Sequence, residues 1–212
     1  MGGAKAGTAV GLRERKKRRT RATLIEAAVQ LCLDQGYDNT TVEQIAAAAE
    51  VSPRTFSRYF ATKDAVVLTL LEDLVDLVHD ELATIPYEVP VLEALRRAHV
   101  HVLDAVGSGS VTGVSSERIA LMLRILNSTP TLKSAATEFT PRATLVALAD
   151  RLGVGVEDRR VALVAGIWAT IIVTACGDLN ADRDGLKLGP DLMVKRICEV
   201  FEQFAGLTVG LG

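Results

Sequence analysis

Arg54, Ser57 and Arg58 could read a base pair. In the stretch SPRTFSRYF (52–60) they share one side of a short helix, while Phe56, Tyr59 and Phe60 share the other. A guanidinium presents two parallel N–H donors that match O6 and N7 of guanine, and a serine hydroxyl can serve any base edge. This is the chemistry of recognition, and the chain offers little chemistry of turnover. It contains no G-x-S-x-G, no Walker loop, no G-x-G-x-x-G and no cysteine beside a histidine. His99 and His101 are two residues apart on a helix, so they point about 200° apart and cannot share an ion. His101 with Asp104, and His79 with Asp76, have helical spacing but offer two ligands each. No metal, cofactor or catalytic residue is expected.

The elements that must position those side chains lie around them. Val42, Ile45, Ala46 and Ala49 form one apolar stripe on a short helix, with Thr41 as N-cap and Gln44 completing a capping box. Ser52 and Pro53 then restart a helix as N-cap and first residue. Two short helices, a tight turn, an aromatic inner face and a cationic outer face predict a helix-turn-helix whose second helix enters a DNA major groove.

The segment TVEQIAAAAEVSPRTFSRYFATKDAVV resembles the tetracycline-repressor (TetR) family of bacterial regulators. The resemblance rests on Thr41-Val42, Ile45-Ala46, Val51-Ser52, Thr55-Phe56, Tyr59-Phe60 and Lys63, and covers about residues 20–70. It implies DNA contacts from Arg18, Arg19, Thr41, Ser52, Arg54, Thr55, Ser57, Arg58, Tyr59 and Lys63, with Tyr59 and Lys63 on phosphates. Two residues depart from the family pattern. Glu50 stands where Gly is frequent, so the turn is expected to carry about 1 kcal/mol of strain. Ser57 replaces the Tyr with which many members touch base or phosphate.

Charge is divided along the chain. Residues 1–63 hold 11 Lys/Arg against 6 Asp/Glu, and residues 64–212 hold 13 against 20. A basic head on an acidic body suits a DNA-binding domain joined to something that does not touch DNA. We expect a basic, disordered arm over 1–19, a DNA-binding domain over 20–63 and a ligand-binding and dimerisation body over 64–212. The run RERKKRRTR (13–21) has two readings: a solvated tail or the exposed start of helix one, or an arm that grips phosphate beside the main contact. Cys32, Cys176 and Cys198 are odd in number and far apart, which fits a reducing cytoplasm and no disulfide scaffold.

The rest reads as helices, giving an all-α fold class. Helix one is expected over Thr20–Gln35, with Leu24, Ile25, Ala28, Leu31 and Cys32 inward, and a long helix from about Lys63 to Thr84 joins head to body. Prolines 86, 90, 130, 141 and 190 punctuate the body. Val161–Gly177 runs without a charge but is short for a membrane span; a helix buried on all sides explains it, and no membrane association is expected. The last helix carries Met193, Ile197, Val200, Phe201 and Phe204 in one seam. Together with Ile172 this is more apolar surface than one subunit needs, which predicts pairing across a two-fold axis; the family resemblance also implies a homodimer through these helices.

His99, Met122, Leu126, Asn127, Trp168 and Thr170 are candidates for the wall of a small-molecule pocket, against the plainer reading that they are core. The segment RILNSTPTLKSAATEF…LADRLG resembles family members that sense acyl chains. The expected function is a DNA-binding transcriptional regulator, a repressor released from a palindromic double-stranded operator by a lipophilic effector, acyl or aromatic. Two other readings are a ligand-independent architectural dimer and an enzyme with a basic head.

Overall fold

The computed structural model of the chain describes residues 6–208, with side chains described from residue 14. Among these residues ten helices succeed one another, and the sole extended pairing is an isolated bridge between Arg183 and Leu186. The chain divides into two compact units, Met1–Thr69 and Leu70–Gly212, with the boundary inside one helix.

The first unit holds α1 (Ala6–Gln35), α2 (Val42–Ala48), α3 (Pro53–Phe56) and the start of α4 (Lys63–Thr84). Leu24, Ile45, Ala46, Phe56 and Val66 are among its fully enclosed side chains, joined by Ala28, Val29, Cys32 and Phe60. Phe56 and Phe60 meet at 5.7 Å between ring centroids. Helix α1 begins well before Thr20, so the expectation of a disordered arm fails for residues 6–19; residues 1–5 lie outside the described part. Ala, Lys and Arg are all good helix formers, and the run between Arg13 and Arg21 contains no Gly or Pro to stop propagation.

The second unit continues α4 and adds α5 (Val91–Gly107), α6 (Ser116–Leu126), α7 (Pro130–Glu138), α8 (Arg142–Leu152), α9 (Arg159–Cys176) and α10 (Pro190–Thr208). Helix α10 packs along α5 and α9, and α9 also packs on α8. Leu103, Ile119, Ile125, Leu148, Leu179, Leu192 and Ile197 are its enclosed centre.

Two expectations for the last helices need correction. Helix α9 is not buried on all sides: only 28% of its apolar window is enclosed, and Leu163 is 61% exposed. By length and composition it is the one described helix able to cross a membrane. Met193 and Ile197, assigned to a subunit interface, are buried within the single chain. Ile172, Val200, Phe201 and Phe204 keep partial exposure. A helix seam shows which residues are apolar but not which neighbour covers them.

One side chain with no sequence signal ties α8 to the α4–α5 turn. The Arg151 guanidinium donates to the carbonyls of Ile85 (3.0 Å), Leu82 (3.5 Å), Val89 (3.4 Å) and Pro86, with the Tyr87 ring 5.2 Å away. These carbonyls lie at or beyond the C-terminal end of α4, where helix carbonyls lack partners of their own.

Candidate nucleic-acid interface and body cavity

The motif is built from local hydrogen bonds. Thr41 Oγ1 accepts from the Gln44 amide at 3.2 Å, and Gln44 Oε1 accepts from the Thr41 amide at 2.9 Å, closing the expected capping box. At the other end of α2, the Val51 amide donates to Ala46 O (2.9 Å) and the Glu50 amide to Ala47 O (3.0 Å). That pair of hydrogen bonds is a Schellman closure, and it needs a left-handed residue between helix and turn. Glu50 supplies it at φ +54°, a conformation that costs an L-residue about 1–2 kcal/mol.

Ser52 Oγ caps α3 by accepting from the Thr55 amide at 3.1 Å. The regular helix ends at Phe56, shorter than the sequence suggested. The Arg58 and Tyr59 amides turn to Thr55 O (3.2 Å) and Phe56 O (2.8 Å), a tighter winding, while Ser57 Oγ donates to Pro53 O at 3.1 Å. The outward face survives this tightening. Ser52, Arg54, Ser57 and Arg58 are exposed, Thr55 and Tyr59 are half-buried, and Thr41, Arg18 and Arg19 are exposed. Arg58 lies 5.8 Å from the Tyr59 ring.

Lys63 differs from the rest. Its Nζ donates to the carbonyls of Tyr37 (2.7 Å) and Thr40 (2.9 Å) and sits 3.9 Å from the Tyr37 ring centroid. Lys63 thus clasps the α1–α2 loop with two of its three ammonium donors. The Tyr37 hydroxyl donates to Asp64 beside it, and burial, followed by that bond to Asp64, pushes the phenol pKa up. Along α1, Arg15, Lys16, Arg19, Thr20 and Thr23 form an open groove with Ala49 and Val51 beside the α2–α3 turn.

The second unit holds a partly open cavity of about 190 Å³. Its wall includes Leu74, Val78, His79 and Leu82 of α4, Met122, Leu123, Leu126 and Asn127 around the end of α6, Phe139, Thr144 and Leu148, and Trp168, Ile172 and Met193. Of the candidates read from sequence, His99, Met122, Leu126, Asn127 and Trp168 come together here. Thr170 does not: it faces outward, and its hydroxyl donates to Gly166 O at 2.9 Å. Two residues assigned to the interface, Ile172 and Met193, also line this wall. His79, Lys133, Phe139 and Thr144 were missed, because α4, α7 and the start of α8 are amphipathic and their inward side could equally have met core.

His99 is held as a neutral ring of defined tautomer. Nδ1–H donates to Leu95 O at 2.8 Å, and the Trp168 indole N–H donates to Nε2 at 3.3 Å, with ring centroids 4.8 Å apart. Burial pushes its pKa down to about 4, against a smaller upward pull from the Leu95 carbonyl. Asn127 Nδ2 donates to Cys176 O (3.0 Å) and Leu179 O (2.9 Å), so its amide braces the wall. Lys133 donates to Gly177 O at 2.7 Å, and a Cβ at Gly177 would collide with the Val173 carbonyl and press on the Lys133 chain. Burial pushes the Cys176 thiol up to about 12, an inert wall residue rather than a nucleophile.

Comparison with known proteins points the same way. The family described as bacterial regulatory proteins, tetR family, matches residues 24–70. The transcriptional regulator TcmR of Streptomyces glaucescens is 44% identical over 122 residues, which is 58% of this chain and 54% of TcmR. The regulator HbdR of Aromatoleum sp. (strain CIB) is 37% identical over 62 residues, 29% of this chain and 27% of HbdR. The chain thus spans about half, or less, of the curated relatives it matches. FadR of Thermus thermophilus, a TetR-family transcriptional repressor solved in complex with lauroyl-CoA, is 26% identical with a TM-score of 0.51, covering 86% of this chain and 93% of FadR. A TetR-family regulator from Pectobacterium atrosepticum shares the fold at a TM-score of 0.53 and 17% identity, over 91% of this chain and 96% of its own. Residues 24–70, with their capped helix-turn-helix, thus match the tetR family of bacterial regulatory proteins, and the helical body that follows is similar in fold to those of TetR-family regulators.

Proposed function

We propose that the chain is a cytoplasmic, DNA-binding transcriptional repressor that acts as a homodimer on a palindromic operator and is released by a small lipophilic ligand. The observation that carries the ligand part is the partly open, mostly apolar cavity, walled in part by α4, the helix that begins in the helix-turn-helix unit. Arg54, Ser57 and Arg58 read bases; Arg18, Arg19, Thr41, Ser52, Thr55 and Tyr59 hold phosphate or frame the contact. The dimer is supported by the outward strip of α9, Leu163, Gly166, Thr170 and Thr174, together with half-exposed Val200 and Phe204 and the 79% exposed Leu207 on α10. That strip is apolar or small, and a partner helix would cover it.

In this reading the free dimer presents two recognition helices to half-sites about 34–36 Å apart on one face of DNA, or a multiple of that spacing. A ligand that favours the released state 100-fold supplies about 2.7 kcal/mol of bias. FadR, solved with lauroyl-CoA, supports a ligand-bearing body by likeness. The test is selection of bound duplexes from a random pool. The expected product is an inverted repeat with the half-site spacing above. A pool that returns no enriched sequence would refute the regulator, and an inverted repeat that no lipophilic compound releases would leave the ligand-independent dimer.

A further inference from the structure

The walls of the cavity carry an unusual distribution of charge and hydrogen-bonding capacity. Among the described residues no Asp or Glu lines it. A cationic ligand would enter without a counter-ion, which burial of charge penalises heavily. Positive charge is equally scarce. Lys133 is the one Lys or Arg in the lining; it is exposed, and its ammonium already donates to Gly177 O. His99 is neutral, with Nδ1–H committed to Leu95 and Nε2 to Trp168.

Against this background, poor in charge, two wall residues hold orphaned polar atoms. His79 Nδ1 and Thr144 Oγ1 are buried and have no hydrogen-bond partner in the protein. They come from α4 and α8, so neither helix can satisfy the other's group by its own backbone. A buried polar atom left without a partner is destabilising, and a bound hydroxyl or carbonyl would offset that cost. The space is ample, since 190 Å³ far exceeds the ~10–15 Å³ that one water needs.

We infer that this cavity is built for an uncharged, oxygen-bearing hydrophobic molecule, whose hydroxyl or carbonyl is met by His79 and Thr144. Amines, quaternary ammonium compounds and free carboxylates are discriminated against. The inference rests on the proposal that the cavity is an effector site and adds the class of effector it takes.

A matched series isolates the charge: octan-1-ol, octanoate and octyltrimethylammonium share one chain and differ at the head. Binding to the full-length protein is followed by calorimetry and by Trp168 emission. Octan-1-ol is expected to bind at least tenfold more tightly than octanoate and at least 100-fold more tightly than octyltrimethylammonium. Thr144→Val, nearly isosteric, should weaken octan-1-ol five- to tenfold while raising the Tm of the free protein, because it deletes an unpartnered hydroxyl. A variant damaged in folding would lower Tm, so the two effects part company. Equal or tighter binding of the ammonium or carboxylate overturns the inference and leaves an effector site of another class. Octan-1-ol binding unchanged by Thr144→Val overturns the role of the orphaned atoms. Binding of none of the three overturns the class and the effector reading together. Selective octan-1-ol binding that never loosens DNA would sustain the class and refute release.

Discussion

Glu50 offers a measurable strain at the centre of the DNA-binding motif. It occupies the left-handed position of the closure that ends α2, at φ +54°, and its side chain is exposed. An L-residue there costs about 1–2 kcal/mol, and glycine costs nothing sterically. Glycine also enlarges the freedom of the unfolded chain, which returns about 0.4–1 kcal/mol. The difference predicts that Glu50→Gly stabilises the turn by about 1 kcal/mol, or roughly fivefold in a local opening equilibrium. The Val51 amide, which donates to Ala46 O at 2.9 Å across this closure, reports that opening by hydrogen exchange. Its protection should rise about fivefold in Glu50→Gly. Glu50→Ala is the control: it removes the carboxylate but keeps Cβ, so protection should stay within about twofold of the wild type. If Glu50→Ala matches Glu50→Gly, the charge and not the backbone is responsible, and the strain is refuted. No change in either variant refutes it as well.

The remaining predictions concern reading, pairing and pH. Arg58→Ala should weaken operator binding by about 1–3 kcal/mol and relax preference at one base pair per half-site, measured against singly substituted operators. Lys63→Ala should instead lower unfolding stability by about 1–3 kcal/mol and leave the salt slope of DNA binding unchanged, because its ammonium clasps Tyr37 and Thr40. Leu163→Lys should weaken dimerisation at least 100-fold in sedimentation while preserving helicity, since Leu163 is 61% exposed in the protomer. Phe201→Asp is a poorer probe, because Phe201 packs edge-on to Trp168 at 6.4 Å and beneath Arg96. For His99, burial lowers the folded pKa from 6.5 to about 4, so between those values the unfolded chain binds more protons than the native one. Stability should therefore fall as pH drops from about 7 to about 4, by no more than about 3 kcal/mol, and His99→Gln should flatten that part of the profile.

What the sequence determined by itself was everything carried by neighbours along the chain. The capping box of Thr41 and Gln44, the Ser52-Pro53 restart, the aromatic side at Phe56 and Phe60 and the awkward Glu50 are all set by residues within four of one another. Local hydrogen bonds and steric limits act at that range, so they are legible without a fold. The apolar character of α9 and α10 was legible for the same reason. Which neighbour covers each apolar residue was decided by tertiary packing: Met193 and Ile172 turn to a cavity in their own protomer, Ile197 to its core, and Leu163 outward. Lys63 reads as a surface cation until the α1–α2 loop, more than twenty residues earlier, brings two carbonyls to it. Arg151 gives no hint of its part until α8 meets the end of α4. Composition fixes how much apolar surface and charge must find partners, but contacts between residues distant in sequence depend on which helices meet, and only the folded chain settles that.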